Sequence, residues 1–220
     1  MECFCYQSMR TKCLTCMHEI RTTQLPSYES VLVDMEEAEK RDGWLSECID
    51  QSLYIALNRQ FLKALSGFLF DLKYKKIVEI CAGNGQLSDA LLSHEHLITA
   101  TDKYKQNNLV SSMSVEETLN EYKPDTVIGC FVPFDAGIDE MILADISVTN
   151  YVVVNARLNG QLGSPALWND KHFFSEQVSS VSKWMICRHD VWIGTNKPLI
   201  SHGEVWCFRR KQEKSNGSER

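Results

Sequence analysis

The pattern of apolar positions switches period along the chain. From Trp44 to Leu69, apolar residues recur at three- and four-residue steps, among them Leu45, Cys48, Ile49, Leu53, Phe61, Leu62, Leu65 and Phe68. That spacing predicts one long helix, or two with a break near Asn58, with an apolar face to lay on a sheet. Lys76 to Cys81 is then a short β-branched run and reads as a strand. Gln86 to Leu92 returns to helical spacing, and Leu97 to Thr101 reads as a second strand. A weak third strand is expected near Leu109 to Met113. Ser114 followed by Glu117 is a capping-box signal, so a helix is predicted from about Val115 to Tyr122. Strand four is expected at Thr126 to Phe131, an acidic helix at Ile138 to Ile146, and strand five at Tyr151 to Asn155. Asn169 or Asp170 is then expected to cap a helix running to about Val181. Trp184 to Ile193 and Gly203 to Arg209 read as two late strands. The connection through Asn196-Lys197-Pro198 is too short for a crossover helix, which predicts an antiparallel hairpin at the sheet edge. Strands alternating with helices before that point predict a parallel α/β sheet.

These elements divide the 220 residues into a Cys-rich extension at 1–43, a main domain at 44–210 and a polar tail at 211–220, expected to be disordered. Within the extension, Asp34 to Arg41 is strongly charged and is expected to open a helical region. An apolar share of 44% is enough to fill a sizeable core. A formal charge of −6 argues against a dedicated nucleic-acid surface, which would normally be basic. The dense basic run Arg209-Arg210-Lys211 reads as a solvated strand end. No apolar run reaches the ~18 residues of a membrane span, and polar residues interrupt the N-terminus where a signal peptide would be apolar. Nine cysteines are present, an odd count, and several fall in core segments. A reduced, cytoplasmic protein is expected.

The chemistry concentrates between Lys76 and Asp102. A strand is followed by Ala82-Gly83-Asn84-Gly85, a helix, a second strand and an acid. A β-α-β unit that binds an adenosine-containing cofactor needs these parts in this order. Glycines let the backbone approach the ligand, and the second strand delivers an acid to the ribose. A nicotinamide dinucleotide would want a third glycine where Ser88 stands, and no acid inside the first strand at Glu79.

From Leu72 to Arg210 the chain resembles the class I S-adenosylmethionine-dependent methyltransferases. Glu79, Gly83, Gly85 and Asp102 carry the resemblance, together with the late antiparallel pair; Cys81 stands where a first glycine is often found. The resemblance implies an α/β fold, a Rossmann-like doubly wound seven-stranded sheet with a C-terminal antiparallel hairpin, here with an N-terminal helical extension. It implies that Glu79 faces the methionine amino group, that Ala82, Gly83, Asn84, Gly85 and Leu87 form the turn beside the cofactor, and that Asp102 takes the ribose hydroxyls. Lys103 or Tyr104 would cover the adenine edge. Cys130 and Phe131, at the end of strand four, would border the methyl group.

Phe134 is the candidate to frame the acceptor and Asp135 the candidate general base, or else a helix cap. Only Pro133-Phe134 survives of the Asp/Asn-Pro-Pro-aromatic tetrapeptide of amino methyltransferases, so an amide acceptor is not supported. Arg157, in the loop running to Trp168, is read either as an anion-binding residue or as one half of a surface salt bridge. His94, His96, His189 and His202 show no paired spacing for a metal or triad. The expected function is methyl transfer from S-adenosylmethionine to a small-molecule or protein acceptor. The alternatives are a silent S-adenosylmethionine-binding module and, behind it, an NAD-dependent oxidoreductase. Cys3, Cys5, Cys13 and Cys16 could supply four ligands to a structural zinc, or be incidental cysteines of the extension.

Overall fold

Strand β1, Ile77–Ile80, is buried at all four positions, as a strand covered on both faces must be. The computed structural model describes residues 25–104, 107–134, 136–157, 162–194 and 199–212. Around β1 lie β2 (Ile98–Asp102), β3 (Ser111–Ser112), β4 (Thr126–Cys130), β5 (Asn150–Ala156), β6 (Phe173–Gln177) and β7 (Gly203–Arg210). They form one sheet in the order β3-β2-β1-β4-β5-β7-β6. The pairs from β3 to β5 are parallel. Strand β7 lies antiparallel between β5 and β6.

Helices cover both faces. Adjacent residues of each strand point to opposite sides, so Ile77, Ile128 and Val152 join one core with helices α3 (Arg59–Asp71), α4 (Gln86–Leu92) and α8 (Ser179–Ser182). Val78, Val127 and Val153 join the other, with α5 (Val115–Tyr122), α6 (Ile138–Ala144) and α7 (Pro165–Asn169). Helices α1 (Tyr28–Glu39) and α2 (Trp44–Asp50) build a third cluster around Met35, Trp44 and Ile186. No helix among the described residues is long and apolar enough to cross a membrane.

Local signals set several boundaries. Asn58 caps α3 by accepting from the Phe61 amide at 2.9 Å, so the long apolar stretch breaks where its polar residue lies. Ser114 and Glu117 form the reciprocal capping box of α5. Three expectations fail. Asp34 to Arg41 closes a helix in place of opening one, since α1 starts at Tyr28 behind the Ser27 cap and ends at Glu39. The stretch expected as a helix through Val181 instead holds β6, with only a single turn at α8. Trp184 to Ile193 is not a strand; β7 pairs with β5 and β6 instead, so the antiparallel strand sits inside the sheet and β6 takes the edge. The backbone of Cys187, His202 and Gly203 donates to the buried Asp190 carboxylate, at 2.9, 2.7 and 3.3 Å. That carboxylate holds the segment in a loop that makes single bridges, Ile55–Cys187 and Val191–Ile200, in place of a sheet strand.

Candidate functional site

A doubly wound sheet opens a crevice where its strand order reverses, here between the carboxyl ends of β1 and β4. The chain leaves β1 through Cys81, Ala82, Gly83, Asn84 and Gly85. Cys81, Gly83 and Gly85 all have positive φ, at 50°, 56° and 73°. The two glycines serve different needs. A Cβ built on Gly83 meets nothing within 4 Å, so this backbone faces open space. A Cβ on Gly85 would lie 2.8 Å from Val110 Cγ2, so Gly85 is small because the chain before β3 packs on it. Cys81 holds a conformation that glycine adopts without strain.

Asp102 ends β2 next to this turn. Its Oδ2 accepts from the Gly83 amide at 2.9 Å and its Oδ1 from the Tyr104 amide at 2.8 Å. Asn107 adds a second tie, donating to the Asn84 carbonyl at 2.6 Å. Glu79 is buried, 2% exposed. Its Oε2 accepts from the Ser88 amide at 3.0 Å and from the Ser88 hydroxyl. Burial pushes its carboxyl up to about 7, against the lowering pull of those bonds. Glu79 thus satisfies an orphan amide in the first turn of α4, whose own cap, Gly85, has no side chain to offer.

Across the crevice, β4 ends at Cys130 and Phe131. Phe131 has φ +53°, and its amide donates to the Val154 carbonyl on β5 at 2.9 Å. Its ring lies 5.4 Å from Tyr54 and 6.4 Å from His189. Two loops bring these rings in. Residues 54–56 pair with 186–188 through an Ile55–Cys187 bridge, an Ala56 amide to Ile186 carbonyl bond of 2.9 Å and an Arg188 amide to Tyr54 carbonyl bond of 3.1 Å.

At the end of β5, Arg157 Nε lies 3.4 Å from Glu204 of β7, and its guanidinium lies 5.8 and 5.5 Å from the Trp168 and Trp206 rings.

Parallel strands from β3 to β5, a glycine turn after β1, an acid ending β2, and β7 inserted antiparallel beside β5 together decide the architecture. The chain has the class I methyltransferase fold. No family model matches it, and no curated protein matches it. Among solved structures, the methyltransferase domain of a bacterial CtHen1 is similar at 11% identity, over 69% of this chain and 98% of that one, with a TM-score of 0.43. The Burkholderia thailandensis 1,6-didemethyltoxoflavin-N1-methyltransferase, solved with bound 1,6-didemethyltoxoflavin and S-adenosylhomocysteine, is 16% identical over 69% and 79%, TM-score 0.44. The 23S rRNA methyltransferase ErmE is 13% identical over 69% and 68%, TM-score 0.41.

On this methyltransferase fold, Glu79, Ala82, Gly83, Asn84, Gly85 and Asp102 come together around one turn. Lys103 follows them, exposed, with its ammonium 5.6 Å from the Tyr104 ring. Leu87, on α4, is buried in the core cluster against which Cys130 and Phe131 also pack. Phe134 is 49% exposed beyond the end of β4. Asp135 lies outside the described residues, as do Cys3, Cys5, Cys13 and Cys16. Among the described residues no group of His, Cys, Asp and Glu could hold a metal ion. The sequence reading missed Tyr54 and Arg188; they reach the rim only through the pairing of two loops far apart in sequence.

Proposed function

We propose that this chain is an S-adenosylmethionine-dependent methyltransferase. The observation that carries the reading is the bond from the Gly83 amide to Asp102, beside the open space at Gly83. The residues present fit the donor. The space beside Gly83 that a Cβ would occupy is open, each Asp102 oxygen has taken one backbone N–H and keeps a lone pair for a ribose hydroxyl, and Glu79 Oε1 accepts no bond among the described residues.

Gly83, Asn84 and Asp102 would hold the adenosine half, and Glu79 the methionine ammonium, whose charge a buried carboxylate offsets. S-adenosylmethionine supplies an electrophilic methyl group on a sulfonium. Cys130 and Phe131 frame the crevice opposite the turn and would limit how an acceptor approaches. In-line placement is the main demand when the nucleophile is already a free amine, thiolate or carboxylate, so the chain needs no general base for such acceptors. Strand β7 between β5 and β6 favours this donor over a nicotinamide dinucleotide, whose sheet continues in parallel order. The acceptor is a small molecule or a protein.

Calorimetric titration with S-adenosylhomocysteine, with NADH as control, tests the reading. Micromolar binding of S-adenosylhomocysteine that Asp102→Ala abolishes is the expected result. Binding of NADH in its place, or of neither, overturns it. Binding without methyl transfer to any acceptor would turn the chain into a cofactor-binding module.

A further inference from the structure

Arg188 is a half-buried cation that no carboxylate of the described residues pairs. Its Nε donates to His189 Nε2 at 3.2 Å, and its guanidinium carbon lies 4.0 Å from the Tyr54 ring centroid. Its two terminal nitrogens find no acceptor among the described residues. The nearest acid in sequence, Asp190, is saturated elsewhere: besides three backbone amides, it accepts from the Cys187 thiol at 3.2 Å. A guanidinium stacked on one ring and left with a free fork of N–H donors matches two oxygens side by side. Arg157 offers the opposite case, since Glu204 already neutralises it.

The surroundings add shape to the charge. Both Tyr54 and His189 approach the Phe131 ring, at 5.4 Å and 45° and at 6.4 Å and 30°. Phe131 is held in a strained left-handed backbone conformation at the end of β4. Burial, then the charge of Arg188, pull the His189 pKa down, so its ring stays neutral and leaves Arg188 as the cation of the group.

We propose that Arg188, Tyr54, Phe131 and His189 form the acceptor subsite, and that the acceptor is a planar aromatic carboxylate. Arg188 holds the carboxylate through its fork, and the rings line the plane of the acceptor. The proposal rests on the methyltransferase reading for calling the ligand an acceptor. The aromatic-anion site itself does not depend on it.

The test uses the full chain, with and without S-adenosylhomocysteine, and a panel of benzoate, salicylate and indole-3-carboxylate beside their uncharged amides. Binding is followed by calorimetry and ligand-observed NMR. At least one acid is expected to bind with a Kd below about 1 mM and at least tenfold more tightly than its amide. Arg188→Gln is expected to lose tenfold or more of the acid affinity, whereas Arg157→Gln keeps it within threefold. Affinity for S-adenosylhomocysteine stays within threefold in both. Should Arg188→Gln fail to fold, Arg188→Lys decides, because it keeps the charge and loses the fork; a threefold or greater loss for the acid alone supports the subsite. Equal binding of acid and amide, acid binding indifferent to Arg188, or no binding by any acid of the panel overturns the proposal. Arg188-dependent acid binding by a protein that ignores S-adenosylhomocysteine would sink the methyltransferase reading and leave the anion site standing.

Discussion

Asp102 Oδ2 accepts the backbone N–H of Gly83 at 2.9 Å, so the acid that ends β2 also holds the glycine turn that ends β1. The same carboxylate takes the Tyr104 amide on its other oxygen. Asp102→Ala therefore strips acceptors from two backbone donors and, on the proposed function, from the donor's ribose. Hydrogen bonds to a charged group contribute roughly 1.5–3 kcal/mol each. S-adenosylhomocysteine affinity is expected to fall at least about tenfold, by calorimetry, and stability by about 2 kcal/mol, by urea titration. Asp102→Asn keeps one side-chain acceptor and should lie between. An Asp102→Ala protein with undiminished stability would show that the Gly83 tie does not hold the turn.

The two glycines of the turn are expected to respond differently to the same change. Gly83→Ala adds a methyl group in open space at φ +56°, so it meets only the left-handed strain of about 1–2 kcal/mol, while filling the space assigned to the donor. It should remain folded and lose most S-adenosylhomocysteine binding. Gly85→Ala carries the same strain and also drives its Cβ to 2.8 Å from Val110, a stiff, buried side chain. It should lose more stability than Gly83→Ala, and Val110→Ala should restore part of the loss. Thermal melts and calorimetry on the three proteins separate packing from binding; equal melting of the two glycine variants would contradict the assignment.

The turn was legible because it is local. Strand, glycines, helix and acid follow one another within a single stretch from Lys76 to Asp102, and α4 and α5 have the bounds their periodicity and capping box predict. The late region was not. In β6 only Phe173 is buried and the next four residues are exposed, so an edge strand with one neighbour shows no alternation to read. Met185, Ile186 and Cys187 are all buried and β-like in composition, yet their neighbourhood is organised by Asp190, whose partners at His202 and Gly203 lie beyond any local window. Arg188 and Tyr54 were invisible for the same reason. For Arg157 the sequence leaves an anion binder and half of a salt bridge both open, and Glu204 on β7 beside β5 makes it the salt bridge.

A buried histidine is expected to set acid sensitivity. His96 is fully buried between the Ser66 hydroxyl at 2.8 Å and the Tyr74 hydroxyl at 2.6 Å, with the Phe70 ring 4.3 Å away. Burial, chiefly, holds its pKa below the usual 6.5. The unfolded chain therefore binds a proton that the native state refuses, and His96 lowers stability as pH falls below about 6.5. His96→Phe keeps the stacking but leaves two hydroxyls without their partner, at roughly 1–3 kcal/mol for each that stays unmet. Its melting temperature at pH 8 should drop, and the pH dependence that His96 contributes should vanish. A variant with the wild-type slope below pH 6.5 would place the sensitivity elsewhere.

Glu79 pulls the profile the other way. Its carboxyl rises from 4.5 to about 7 on folding because it is buried. Between those values the native state binds the proton more tightly than the unfolded chain does, so this residue favours folding at acidic pH and costs stability as pH climbs through 7. The cost above pH 7 is at most about 3 kcal/mol. Glu79→Gln keeps an oxygen for Ser88 and removes the buried charge, while its amide N–H groups need partners of their own and offset part of the gain. The variant should melt several degrees higher than wild type at pH 8, with the difference closing toward pH 4.5. If Glu79 holds the donor's ammonium, the same substitution should weaken S-adenosylhomocysteine by tenfold or more. Greater stability with weaker binding is the signature of a charge kept for a ligand. A variant less stable at pH 8 that still binds S-adenosylhomocysteine at wild-type strength would mean that Glu79 serves only to cap α4.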